Sequence, residues 1–489
     1  MQIINKTIVL ILLTALCKAQ SFEYIYSTPE DELVKDAVED SVGNFYIICI
    51  KGVNTGNTDN YSNLIIKLSP AGDSLKTLII PYANAYAQLY KIVKVNDTTF
   101  VSIGSKKAQS TSNELIWYLK FDNNLIILDE KLIGDTNYRH FLNHVRKSLQ
   151  NELLISGNAA ANNGLSGQLA FYRLSLNGDS LQSAYIGDSL GQSGNDMLQL
   201  PDSSGYILFG TGFKLPYTGN IDAVKINNAG AIDTIFEMNT CQSGFTEITT
   251  EWVSDSSFAV SSAGACFPLF IDNIKYQTVD LNNNVLQDTL IGKADSIDIT
   301  GNRSMNFIDP KNVFLGSTFN FYPSWFAPFP SWFRIIKFNN NMQPQWEKII
   351  SHNNDYLFLW CVRATADGGV LLAGTKYNSA TSNGQERDIF IVKLDSLGNF
   401  TTGINNPMVT QVQDVVVYPN PVRDIMYIKS TINFSGTQFI LFDATGREVL
   451  NEKFNTDASF SVSKLEEGIY FFILKNAKGD IINGKLVKV

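Results

Sequence analysis

The sequence is short of the side chains that do chemistry. It has three histidines in 489 residues, His140, His144 and His352. No Gly-x-Ser-x-Gly elbow, His-Glu-x-x-His pair or Walker loop occurs, which excludes the common hydrolase, zinc-protease and nucleotide-binding signatures. His140 and His144 have a spacing that would suit a helical metal pair, but the surrounding pattern places them at the start of a strand, where solvated loop residues are expected. Charged residues make up 17% of the chain, and the net charge of −9 argues against a nucleic-acid partner. Arginines are few and scattered, which weakens any reading as a carboxylate or phosphate clamp. Asp202-Ser203-Ser204-Gly205 and Asp255-Ser256-Ser257 lack the calcium-loop pattern and read as turns. No cofactor is expected. Long apolar runs are missing as well: the one near the start, Thr7–Leu16, is too short to cross a membrane.

What the sequence has is repetition. Asp388-Ile389-Phe390-Ile391-Val392-Lys393-Leu394 followed by Asp395-Ser396-Leu397-Gly398-Asn399 is an apolar strand with a Lys near its end, then a turn. The phrase recurs with its anchor at 67, 120, 173, 225, 278, 337 and 393, at intervals of 53, 53, 52, 53, 59 and 56. A second phrase, an apolar strand ending in a small residue, keeps the same period at 104, 157, 210, 262, 316 and 374. Each unit holds four short strands separated by Gly, Asn and Asp turns, as tight hairpins require. Four-stranded units of this length resemble the propeller repeats of secreted bacterial proteins. The predicted fold is therefore all-β: a seven-bladed β-propeller over 20–401, a linker over 402–413, and a small Ig-like β-sandwich over 414–489. Phe22–Tyr26 alternates like an edge strand, and the seventh unit lacks a clear fourth strand, so 22–27 is expected to complete it. The recurring Lys is read as structural, its stem packed along a blade.

Residues 1–19 read as a secretory signal peptide, with Lys6 in a short basic region, the apolar Thr7–Leu16, and cleavage between Ala19 and Gln20. Export permits disulfides. Cys241 and Cys266 fall in one unit and are the candidate pair, whereas Cys49 and Cys361, in the first and last units, are read as buried thiols.

The C-terminal stretch carries Tyr418-Pro419-Asn420-Pro421, a turn ending at Gly446, Leu465-Glu466-Glu467-Gly468-Ile469-Tyr470 and a final Lys485-Leu486-Val487-Lys488. In combination these resemble the type A C-terminal sorting domain of type IX secretion cargo in Bacteroidota. The resemblance covers 414–489. It implies handling by the type IX secretion machinery, removal of the domain, and release or anchoring to surface lipopolysaccharide. Pro419, Asn420, Pro421, Gly446, Gly468, Tyr470, Lys485 and Lys488 are the residues that carry the signal.

The propeller portion is expected to be a binding or adhesion module for a glycan or protein ligand. The alternatives are a propeller enzyme acting on extracellular glycans, or a structural surface component. The ligand is expected on the face of longer loops, where the sixth unit has an insert rich in aromatics and proline. Tyr322, Trp325, Phe326, Phe329 and Trp332 are its candidate contacts.

Overall fold

The computed structural model describes residues 21–489 except 54–59, 82–85, 108–112, 162–166, 188–192, 212–220, 239–247, 267–270, 293–296, 302, 322–328, 379–385, 401–414, 419–421, 431–436, 455–457 and 476–480. The chain divides into two compact units, 1–401 and 402–489.

The first unit is a succession of antiparallel sheets, each a meander of four strands in chain order. The first sheet runs Asp31–Glu39, Phe45–Gly52, Ser62–Leu68 and Ser74–Ile80. The second to sixth repeat the plan, the sixth opening with a broken strand, Asp298–Ile299 and Met305–Asn306. The seventh takes three strands from Tyr356–Ala364, Val370–Tyr377 and Asp388–Leu394, and its fourth from the N-terminus. Phe22–Tyr26 lies antiparallel to Asp388–Leu394, with Phe22 opposite Lys393 and Tyr26 opposite Ile389. Seven such sheets thus lie among the described residues of this unit. The opening strand of each sheet touches that of the next, and the seventh touches the first. These opening strands are therefore the inner ones.

Two local features explain the repeat. The hairpin after each third strand is closed by a side chain at its first position. Asp395 accepts the Leu397 and Asn399 amides at 2.9 and 2.7 Å, and Ser69 and Asp122 act in the same way. One turn residue adopts positive φ, at Gly72, Gly178, Gly230 and Gly398 but also at Leu125, Asn283 and Met342 in the other copies. Three of the anchor lysines cross to the next sheet, while Lys393 pairs with Asp367 of its own sheet. Lys67 Nζ donates to the Asn123 carbonyl at 2.8 Å, Lys120 to Asn177 Oδ1 at 2.9 Å, and Lys337 to the Ser396 carbonyl at 3.0 Å. Each ties a third strand to the following sheet's hairpin, as a structural role requires.

Apolar side chains fill the spaces between sheets. One cluster joins Val34, Phe45, Ile47 and Leu64 of the first sheet to Leu371, Ala373, Ile389 and Ile391 of the seventh. Cys49 and Cys361 are free thiols in that cluster, fully buried. At roughly 25 cal/mol per Å² of apolar surface, such inter-sheet layers are the main favourable contribution to folding.

The second unit contains a three-stranded sheet (Val415–Tyr418, Ile425–Ser430, Ala458–Ser461) and a four-stranded one (Glu448–Phe454, Thr437–Phe442, Gly468–Lys475, Ile481–Lys488). Met426 and Ile428 of the first share one core with Phe439, Leu441, Tyr470, Phe472, Leu474 and Leu486 of the second, which is sandwich packing.

Candidate functional site

Just inside the end that leads into the first hairpin, each inner strand presents one side chain at an equivalent place. Asp36, Lys91, His144, Asp196, Thr249, Arg303 and Cys361 occupy it, at intervals of 52–58 residues, and all are buried. The equivalence rests on hydrogen bonds from sheet to sheet. Asp36 Oδ2 accepts the Ile92 amide at 3.1 Å, Asp196 Oδ2 the Thr250 amide at 2.7 Å, and Thr249 Oγ1 the Ser304 amide at 3.0 Å. Arg303 and Cys361 are joined by a backbone bridge.

A β-bulge places these residues. The strand register slips between Val34 and Asp36, Leu89 and Lys91, Leu142 and His144, Gly194 and Asp196, and Leu359 and Cys361. The extra residue re-aims the side chain that follows it. The bulge also accounts for the small residue of the second strand. A Cβ on Gly104 would stand 1.9 Å from the Gln88 carbonyl oxygen, and on Gly157 or Gly374 2.1 or 2.2 Å from that of Phe141 or Phe358. The inner strand's backbone occupies the space a side chain would need.

The residues at this place form ion pairs with those two positions further along. Arg363 Nη2 donates to Asp36 Oδ1 at 2.7 Å, and Cys361 Sγ to the same oxygen at 3.3 Å. Arg146 donates from Nη2 to Asp196 Oδ2 at 3.0 Å and from Nη1 to Glu251 Oε2 at 2.8 Å. Arg146 also reaches the Thr250 carbonyl. Arg303 is held more loosely, 3.9 Å from Asp36 and 3.8 Å from Glu251. Arg146, Arg363 and Glu251, nearest the hairpins, are partly open to solvent, with side chains 16, 13 and 20% exposed.

These contacts set the charge states. Burial raises the Asp36 pKa, but Arg363, Arg303, Lys91 and the Ile92 amide overcome it and push the carboxyl down to about 2. Burial lowers His144 well below the ordinary histidine value, and Arg146, Arg303, Lys91 and Arg363 lower it further. Burial thus favours the neutral ring, whose Nδ1 stands 3.2 Å from Asp196 Oδ1. Burial likewise lowers Arg303, with Arg363 beside it adding to the effect. Three buried nitrogens of this cluster have no hydrogen-bond partner: His144 Nε2, Arg303 Nε and Arg363 Nε.

The histidines correct the expectation of solvated loop residues. His140 and His144 both lie within the strand Tyr138–Lys147 and are buried. His140 is held by the Tyr172 hydroxyl at 2.6 Å and the Asp135 carbonyl at 2.9 Å. The arginines correct another: Arg146, Arg303 and Arg363, scattered in sequence, converge. Among the described residues no group of three or more His, Cys, Asp or Glu could hold a metal ion.

Of the aromatic insert, Tyr322, Trp325 and Phe326 lie outside the described residues. Phe329 is 52% exposed, while Trp332 is half-buried in a strand with its ring 5.6 Å from Phe319. Phe321 packs toward Tyr356 and Phe358. Cys241 of the candidate disulfide also lies outside the described residues, as do the side chain of Cys266, Ala19, Gln20, Pro419, Asn420, Pro421 and the side chain of Lys485. Gly446 has φ +84° in its turn, Gly468 opens a strand, and Tyr470 is buried with its hydroxyl on the Glu466 carbonyl at 2.8 Å. Lys488 lies opposite Gly468.

Residues 416–488 match the family model of the secretion system C-terminal sorting domain. No curated protein sequence matches the chain. Among solved structures, the β-propeller domain of the trilobed protease from Pyrococcus furiosus is 12% identical, covers 79% of this chain and 99% of its own, and gives a TM-score of 0.41. A polysaccharide lyase of family PL25, an ulvan lyase, is 8% identical over 76% of this chain and 96% of its own, with a TM-score of 0.46. The extracellular domain of a hybrid two-component system from B. thetaiotaomicron is 12% identical over 94% of this chain and 69% of its own, with a TM-score of 0.33.

Proposed function

The chain is cargo of the type IX secretion system, exported to the medium or the outer cell surface, and we propose that its first unit works there as a binding module. In this reading residues 20–401 are a seven-bladed propeller, 402–413 a linker, and 414–489 an Ig-like sorting sandwich that is removed on export or exchanged for a lipopolysaccharide anchor. Residues 1–19 are the signal peptide of a Bacteroidota protein. The closed cycle of inner strands supports the blade count.

The observation that carries binding over catalysis is the state of the axial carboxylates. Asp36, Asp196 and Glu251 each accept a guanidinium hydrogen bond, and Asp36 is held far below the range of a proton-transferring acid. General acid–base work needs a carboxyl titrating near the working pH. A paired, fixed array of charges instead suits recognition, because it costs no reorganisation when a ligand arrives. The test is a glycan array and an outer-membrane protein overlay probed with the labelled mature chain. Saturable binding with the ligand recovered intact supports the reading. Release of new reducing ends or other products from a bound glycan overturns it in favour of an enzyme.

A further inference from the structure

In the second unit, the four-stranded sheet is apolar on both faces. Phe439 and Leu441 of Thr437–Phe442, with Phe472 and Leu474 of Gly468–Lys475, lie in the core. Alternation turns their neighbours outward. Register sets Ile440 opposite Ile473, Phe442 opposite Phe471, and Ile469 opposite Val487 of the last strand. These pairs form one stripe across three strands, with Ile469 45% and Phe471 48% exposed and the others half-buried. An antiparallel sheet with one face on the core usually carries polar residues on the other, so an exposed apolar stripe marks a contact surface. Its rim is basic. Lys453 and Lys475 stand on either side of Gln438, and Lys485 holds the position opposite Phe471, against one acid, Glu448, opposite Phe442. That reverses the balance of a chain whose net charge is −9. Gly468 is a second, independent observation. It opens the strand that carries Ile469 and Phe471, its φ lies outside the left-handed region, and a Cβ added to it would meet nothing within 4 Å. The fold thus requires no glycine there, although a glycine in a strand costs chain entropy. A strand glycine without an internal reason points to the close approach of another chain.

We propose that this face is where the secretion machinery grips the chain, through a protein surface apolar at its centre and acidic at its rim. The inference is independent of what the first unit binds. The occupant follows from the unit itself: residues 416–488 match a secretion sorting domain, and such a domain must be recognised through its own exposed residues. The basic rim selects an acidic counterpart and orients it, while the stripe supplies the area buried. Gly468 lets the partner's backbone come close beside Ile469. The outer face of the three-stranded sheet offers less, since Ile425 and Tyr427 stand opposite Ser461 and Ser459 there.

The experiment expresses the full chain in a host with a type IX system and measures the share that leaves the periplasm. Phe471→Glu should lower that share roughly fivefold or more, as loss of a central interface residue does. Gly468→Val should also lower it, and Lys475→Glu should do so to a smaller extent. Ile425→Glu, equally exposed on the other sheet, should be exported like the parent. Hydrogen exchange of the purified full chains over 437–442 and 468–475 should match the parent for every variant. Gly468→Val carries the most weight, because a valine suits a strand better than glycine, so its failure to leave the periplasm cannot come from a weakened fold. Normal export of Phe471→Glu or of Gly468→Val overturns the proposal, as does an equal loss with Ile425→Glu. A dimer of the parent that Phe471→Glu dissolves assigns the face to a second copy and overturns it too. Export of the chain lacking 414–489 overturns the sorting assignment itself. Retention of that truncation with normal export of Phe471→Glu overturns the face alone.

Discussion

The first and seventh sheets are clamped by a buried ion pair between residues 356 positions apart. Asp31 opens the first inner strand and is fully buried. Arg387, 9% exposed, precedes the third strand of the seventh sheet. Arg387 donates from Nε at 2.8 Å, Nη2 at 2.6 Å and its backbone amide at 2.8 Å, and the Tyr61 hydroxyl donates at 2.7 Å. Asp31→Leu strands a guanidinium, which costs about 3–5 kcal/mol, and orphans a buried hydroxyl, which adds about 1 kcal/mol or more. Arg387→Met strands the carboxylate at similar cost. In Asp31→Leu/Arg387→Met the charges of the pair are gone, and the Tyr61 hydroxyl and the amide of residue 387 lose their partner. The double variant should lie about 2 kcal/mol below the parent, above either single variant. Urea unfolding followed by tryptophan fluorescence measures this cleanly, because all six tryptophans lie between residues 117 and 360. If Asp31→Leu costs less than about 1 kcal/mol, or if the double variant is no more stable than the singles, the ring is not closed through this pair.

Gly157→Ala should cost about 3 kcal/mol, because its Cβ would meet a backbone oxygen at 2.1 Å and neither strand can yield without losing the bulge; a urea midpoint within error of the parent would refute the packing argument. Buried neutral His140 and His144 both have folded pKa values below the ordinary histidine value, so the unfolded chain binds more protons. Stability is full above about pH 6.5 and falls as the pH drops below it, by up to about 1.4 kcal/mol per pH unit for each histidine. His144→Gln should flatten that slope by one proton, and an unchanged slope would show His144 to be charged in the fold. Deleting 414–489 should leave a folded protein in the periplasm, with surface or medium localisation of the truncation counting against the sorting assignment.

The fold was legible because each sheet restates one solution in local terms. Alternating apolar residues, an Asp or Ser at the head of a turn and a Gly at positive φ are properties of a few neighbouring residues. The degenerate copies show how far that signal can fade: Leu125 and Met342 take the glycine's positive φ and remain buried. The pairing of Phe22–Tyr26 with the seventh sheet was legible for another reason, since a unit lacking its last strand must borrow one. The charge cluster was not legible in that way. Arg146, Arg303 and Arg363 are separated by 157 and 60 residues, and only ring closure brings them together. The bulge also shifts side-chain parity by one, so plain alternation misplaces His144. A signal was nonetheless present. From Lys91 to Gly104, His144 to Gly157 and Cys361 to Gly374 the spacing is 13 in each case, and the small residue marks where the inner strand bulges.

Repetition itself separates the residues that build this protein from those that give it a task. A side chain that recurs in sheet after sheet answers a need that every sheet has. Lys67, Lys120 and Lys337 do so by reaching the next hairpin, and the small residues do so by making room for the bulge. At the axial position the geometry repeats but the chemistry does not: Asp36, Lys91, His144, Asp196, Thr249, Arg303 and Cys361 share no property except place. Fold stability alone would favour one well-packed residue type at all of them, since buried ion pairs are at best neutral against apolar replacements of equal volume. Their diversity costs stability in every sheet where a charge is buried. Such a cost is best offset by a need that occurs once per molecule, at the point where all the sheets meet.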